Sequence, residues 1–128
     1  MTRDQQLLAI RPDLSIDSSQ STPEEAFQNQ TLRPILKLQH TLLAGLFSGY
    51  IHKRKDPYFL LTKSARLVWI AHSVRTDLKF RNILVGAVIG QFTENELVNY
   101  LANEPENQRR IVSLLVQRLQ SVNFVAPT

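Results

Sequence analysis

A chain of 128 residues and 14.7 kDa is one domain's worth, long enough to bury roughly two-thirds of its unfolded surface. With 43% hydrophobic and 20% charged residues, it excludes collagen-like, mucin-like and wholly disordered readings; having no cysteine, it also excludes a disulfide, a thiolate zinc site, an iron–sulfur cluster and a cysteine nucleophile. The net charge of +4 is uneven, with −3 over residues 1–31, +8 over 32–92 and −1 over 93–128.

The first residues carry Arg3 and Asp4 and then only Leu7-Leu8-Ala9-Ile10, too short and charged an apolar run for a signal peptide. The longest strongly apolar run, Ile83 to Ile89, is about a third of a membrane-crossing helix of roughly 20 residues. A cysteine-free chain with neither feature reads as cytoplasmic. Between Arg11 and Thr22 lie Pro12, Ser15, Ser18, Ser19 and Ser21, with only Leu14 and Ile16 apolar. Such a stretch gains little burial against its ordering entropy. The expected organisation is a mobile or surface-draped leader over 1–22, a helical bundle domain over 23–122 and a C-terminal tail over 123–128.

Thr22-Pro23-Glu24-Glu25 reads as a helix start, with Thr22 as cap, proline in the first turn and Glu25 completing a capping box. From Leu32 the apolar residues Ile35, Leu36, Leu42, Leu43, Leu46, Phe47 and Tyr50 recur at three-and-four spacing. Pro34 falls inside the pattern, so the segment kinks there or begins anew near Thr31. Lys53-Arg54-Lys55 suits a helix C-terminus, and Asp56-Pro57 repeats the cap-then-proline signal for the next helix. There Leu60, Ser64, Leu67, Ala71, Val74 and Leu78 line one stripe. Thr76-Asp77 offers a restart, although one continuous helix is the default. Phe80, Ile83, Leu84, Val85, Ala87, Val88, Ile89 and Phe92 make the following segment apolar on nearly every side, as expected of a central helix. Thr93 and Glu96 form a further capping box, and Glu104-Pro105 opens the last helix, with Ile111, Val112, Leu115, Leu119 and Val122 on its apolar face. No alternating strand pattern competes. The predicted fold is an all-α, single-domain bundle of about five helices around a central, nearly all-apolar helix.

All four glycines fall in two pairs, Gly45/Gly49 and Gly86/Gly90, each inside a helical pattern. A helix-interior glycine costs roughly 1 kcal/mol relative to alanine, so four imply a compensating gain. Residues four apart share a face, and a small-xxx-small groove admits a second helix closely. Three readings follow: a homodimer or other protein contact through the groove, a crossing of the two glycine-bearing helices within one subunit, and a ligand filling the space above a glycine.

Residues 52–81 carry a net +6, which nominates Lys53, Arg54, Lys55, Arg75, Lys79 and Arg81 as contacts for an anion or for a nucleic-acid backbone. Arg66 and Arg75, nine residues apart, face opposite sides of a straight helix, and Trp69 is nearly alone as a stacking aromatic. A solvated basic surface is therefore the default. A helix restarting at Asp77 would place Lys79 and Arg81 at its positive end, where an anion fits. The pair 94–102 and 105–121 has the short connection of a DNA-reading helix-turn-helix, but Glu104 and Glu106 would face phosphates at its entering end.

No histidine pairs with a ligand three or four residues away on one helix face, because Pro57 breaks the helix between His52 and Asp56. His72, three after Trp69, reads as a half-buried side chain with one hydrogen bond. GxGxxG, P-loop and GxSxG motifs are absent, so no catalytic residue, metal ligand or cofactor is expected. The segments Phe27-Gln28-Asn29-Gln30-Thr31-Leu32-Arg33-Pro34-Ile35-Leu36, Gly86-Ala87-Val88-Ile89-Gly90-Gln91-Phe92-Thr93, Arg109-Arg110-Ile111 and Gln117-Arg118-Leu119 resemble a group of small uncharacterised all-helical bacterial proteins. The likeness covers most of residues 25–120. Such proteins are sometimes labelled glyoxalase, yet metal-dependent glyoxalases hold His and Glu ligands on strands, for which this chain has no pattern. The resemblance implies a bacterial, cytoplasmic protein and brings no catalytic residue. The function expected from the sequence is that of a non-enzymatic interaction module, self-associating or binding a protein through its glycine-grooved helix face. The alternative is weak, sequence-independent binding of nucleic acid or another polyanion through residues 52–81.

Overall fold

The computed structural model describes residues 1–16, 19, 21–54 and 58–126. Its elements are α1 (Arg3–Ile10), α2 (Pro23–Phe27), a π-helical turn (Gln28–Leu32), α3 (Arg33–Leu38), α4 (His40–Lys53), a 3-10 turn (Tyr58–Leu60), α5 (Lys63–Thr76), α6 (Leu78–Ile89), α7 (Glu94–Ala102) and α8 (Glu104–Gln120). The class is all-α, but about five helices undercounts what the chain forms. Short interruptions at Gln39, Asp77 and Asn103 divide runs whose apolar period continues across them.

Local chemistry explains most boundaries. Thr22 accepts the Glu25 amide at 3.2 Å and Pro23 enters the first turn of α2, although Glu25 does not return the bond expected of a full capping box. At Thr93 both halves form, with Glu96 Oε1 accepting the Thr93 amide at 2.9 Å and Thr93 Oγ1 accepting the Glu96 amide at 3.3 Å. Pro34 does not restart its segment near Thr31, since Phe27, Leu32 and Arg33 all keep right-handed helical dihedrals. Instead the preceding turn widens, and the Arg33 amide reaches back to the Gln28 carbonyl. Proline lacks the amide donor and crowds the carbonyl one turn earlier; a π turn makes room for it.

Asp56-Pro57 lies outside the described residues, and α5 takes its cap from Thr62, whose hydroxyl accepts the Ala65 amide at 3.2 Å. The default of one continuous helix through Asp77 is corrected. Asp77 leaves helical geometry at ψ 89° and accepts the Phe80 amide at 3.2 Å, so α6 starts afresh.

The expected central helix is also corrected. α6 buries Phe80, Leu84, Val85 and Val88, yet Leu78 is 60% and Ile83 49% exposed, so it is a one-sided helix. The helix at the centre is α8, which packs against α3, α4, α5, α6 and α7. It buries Ile111, Val112, Leu114, Leu115, Val116 and Leu119, while its first turn is acidic. Apolar content measures how many faces of a helix tolerate burial, whereas centrality depends on how many neighbours surround it. Beside α8, Phe47 meets Trp69, Phe80 and Phe124, with the Phe124 ring 5.3 Å away between centroids.

α1 lies on the outside and is fastened by arginines. Arg3 donates to the carbonyls of Phe92 (2.8 Å) and Gly90 (3.0 Å). Just past its end, Arg11 donates to the Gln91 carbonyl at 2.8 Å and to both oxygens of Glu96, at 2.5 and 3.0 Å. The Thr31 hydroxyl adds a bond to Glu96 at 3.2 Å. The two charged side chains are only 6% and 12% exposed. Burial pushes the Glu96 carboxyl up, but bonds from Arg11, the Thr93 amide and Thr31, with the Arg11 charge, outweigh it and hold it below the ordinary carboxylate range.

Two outcomes follow. A depressed folded pKa contributes stability that is complete above the unfolded value of about 4.3 and disappears as pH falls toward the lower folded value. Urea midpoints of the natural chain should therefore fall through that acid window, and those of Glu96→Gln should start lower and fall less; parallel curves would remove Glu96 from this role. Leu115→Ala should cost about 3 kcal/mol through the cavity left in the centre, against well under about 1 kcal/mol for Ile83→Ala, as read by chemical denaturation.

Candidate functional site

The glycines lie on two neighbouring helices. α4 and α6 run antiparallel, joined at one end by the Gln39 side-chain amide donating to the Ala87 carbonyl at 3.0 Å and at the other by Tyr50 stacked on Phe80, centroids 4.2 Å apart. Leu43, Phe47 and Ile51 of α4 and Leu84 and Val88 of α6 point inward. At 100° per residue, Gly45, Gly49, Gly86 and Gly90 then fall on the opposite, outward faces. A Cβ added at Gly45, Gly49 or Gly86 meets nothing within 4 Å, and one at Gly90 meets only the Gly86 carbonyl, at 3.2 Å. The internal-crossing reading is thereby corrected: the two helices do neighbour each other, but through Gln39, Tyr50 and Phe80. Leu42 and Ile83, each about half exposed, share the outward faces with the glycines.

The basic residues are partly spent on structure. Arg54 donates to Asp77 at 3.1 Å and lies 4.5 Å above the Tyr50 ring, while the Tyr50 hydroxyl donates to the same carboxylate oxygen at 2.9 Å. The Phe80 amide, the Tyr50 hydroxyl and the charges of Arg54 and Lys79 hold the Asp77 carboxyl below its usual range. The anion at the start of α6, which the sequence left open beside Lys79 and Arg81, is thus Asp77 itself. Burial pushes the Tyr50 phenol up, reinforced by Asp77. Arg66 donates to the carbonyls of Tyr58 and Phe59 and covers the Tyr58 ring. Lys53, Arg75 and Lys79 remain exposed, Arg81 is half-buried, and Lys55 lies outside the described residues. His52 and His72 are both exposed, so His72 is not the half-buried side chain anticipated.

A polar seam between α3 and α8 has no counterpart in the sequence reading. Arg33, Lys37 and His40 follow one another at four- and three-residue spacing, and Arg118 of α8 reaches His40 Nδ1 at 3.1 Å. The spacing was readable in the sequence, although Gln39 divides α3, which carries Arg33 and Lys37, from α4, which begins at His40; the arginine arriving 78 residues later carries no local signal. Among the described residues no group of three potential metal ligands forms, and no helix is long and apolar enough to cross a membrane.

No family model, curated protein or solved structure matches this chain.

Because open space surrounds their Cβ positions, Gly45→Ala and Gly86→Ala should each raise the stability of the isolated subunit by about 0.5–1 kcal/mol. Gly90→Ala, pressed on the Gly86 carbonyl, should gain less. Thermal denaturation of a dilute sample checks the order, and a loss of stability at Gly45 or Gly86 would show that those faces are not open within the subunit.

Proposed function

We propose that this chain is a non-enzymatic helical association module that meets a second copy of itself through the outward face of α4 and α6. The observation that carries the reading is that Gly45, Gly49 and Gly86 interrupt helices where nothing inside the subunit approaches them. Their propensity penalty has no return within the subunit, whereas a neighbouring helix laid on such a surface gains close backbone approach. Half-exposed Leu42 and Ile83 supply apolar area beside the glycines. Two antiparallel helices meeting the same pair on a second copy form a self-complementary, twofold contact.

The test is sedimentation equilibrium over a range of concentrations, on the natural chain and on Gly45→Leu with Gly86→Leu. The natural chain should reach dimer mass. The doubly substituted chain should dimerise at least about a hundredfold more weakly, equivalent to roughly 3 kcal/mol, with helical circular dichroism retained and the dilute subunit no less stable than the natural one, because leucine enters open space. A natural chain that stays monomeric throughout, or a substituted chain that dimerises as tightly, would overturn the reading.

A further inference from the structure

A cleft of about 640 Å³ opens where the start of α5 meets the end of α8 and the 3-10 turn, within the range of volumes that hold small molecules. The Gln120 side-chain amide, donating to the Leu67 carbonyl at 2.9 Å, ties the two helices together beside it. The lining divides by depth. Tyr58 and Ile70 are buried and Leu67 and Val122 half-buried, whereas Lys63 and Asn123 are exposed. The inner part of the cleft is therefore largely apolar and its rim polar.

Both charges in the lining are positive. Lys63 and Arg66, three residues apart, are neighbours on one face of α5. Among the described residues no aspartate or glutamate lines the cleft, and none stands within ion-pair distance of either cation. Arg66 is held in place. Its Nε donates to the Tyr58 carbonyl at 3.1 Å, one terminal nitrogen donates to the Phe59 carbonyl at 2.6 Å, and the guanidinium carbon lies 5.0 Å from the centre of the Tyr58 ring. Neutral carbonyls occupy donors without cancelling charge, and the edge between the two terminal nitrogens keeps free donors. Tyr58 carries a second unused group: it is 3% exposed and lines the cleft, yet its hydroxyl has no hydrogen-bond partner among the described residues. Burial pushes this phenol up, with the Arg66 charge pulling the other way, so it is protonated and able to donate at neutral pH. A fixed, partly dehydrated guanidinium of uncancelled charge is complemented by an anion. The free guanidinium edge suits the two oxygens of a flat carboxylate, and the apolar inner lining suits a hydrocarbon body.

We infer that this cleft binds a small carboxylic acid with an apolar body, its carboxylate held by Arg66 and Lys63 and its body laid against Leu67, Ile70 and Val122. The site stands on α5 and α8 and does not depend on the dimer contact of α4 and α6.

The experiment is a titration of the full chain at neutral pH with sodium octanoate below its micelle concentration, in parallel with acetate, which lacks the body, and 1-octanol, which lacks the charge. Ionic strength is held constant with sodium chloride, and amide chemical shifts and melting temperature are read. Octanoate should give saturable shifts centred on Tyr58, Lys63, Arg66, Leu67 and Gln120, with a rise in melting temperature that follows occupancy. Acetate and octanol should each bind at least about tenfold more weakly, because each supplies only half of the match. Lys63→Glu should weaken octanoate binding at least about tenfold by setting a like charge against the carboxylate. Glutamate suits the first turn of a helix, so this variant keeps its fold. Arg75→Glu, the same change of charge at the far end of α5, should leave binding unchanged. Absent or non-saturating octanoate shifts would overturn the site. So would octanol or acetate binding as tightly as octanoate, or Lys63→Glu binding it as tightly as the natural chain.

Discussion

The pairing of Arg11 with Glu96 sets the frame on which the other contacts depend. Neither charge survives in a dry environment alone, and bringing a carboxylate and a guanidinium out of water is repaid only where the geometry is good and the remaining lone pairs are filled. Glu96 meets that requirement with two bonds from Arg11, one from the Thr93 amide and one from Thr31. The four donors come from the segment after α1, the start of α7 and the π turn, while Arg11 also reaches the Gln91 carbonyl in the α6–α7 corner. The pair thereby fixes where three stretches of chain meet: the segment after α1, the π turn and the α6–α7 corner. A pair of apolar side chains would fill the same space without specifying which segments come together.

With that corner fixed, α6 runs back along α4 and the central α8 passes beneath both, so that each presents one apolar side inward. The outward faces are left with glycines and two half-exposed aliphatic side chains. At the other end of the same helix pair, Asp77 closes the α5–α6 break with Tyr50 and Arg54, drawing part of the basic segment into structural work. The α3–α8 seam differs from both corners in that its arginines meet no carboxylate.

Local signals in the sequence were readable where both partners lie within one turn. Thr22 and Thr93 mark helix starts because a cap bonds three residues ahead, and the start at Glu104 with Pro105 follows from proline's tolerance of the first turn. Pro34 was visible as a disturbance, but its resolution by a widened turn depends on how α2 and α3 are jointly held. Period reports that a helix has an apolar side without saying what that side meets, which is why α6 looked central and α8 did not. The glycine pairs were equally plain as a pattern, while their outward direction was fixed only by the packing of Phe47 and Leu84. Arg11 and Glu96, 85 residues apart, and Arg118 and His40, 78 apart, join across distances at which sequence spacing carries no information.

A double-mutant cycle on Arg11→Met and Glu96→Gln, with unfolding free energies measured in urea at neutral pH, tests the framing role most directly. A buried, doubly hydrogen-bonded pair should show a coupling of about 2 kcal/mol or more, because each single substitution strands its partner. A coupling below about 0.5 kcal/mol, the value of an exposed pair held loosely in water, would contradict a frame built on this contact.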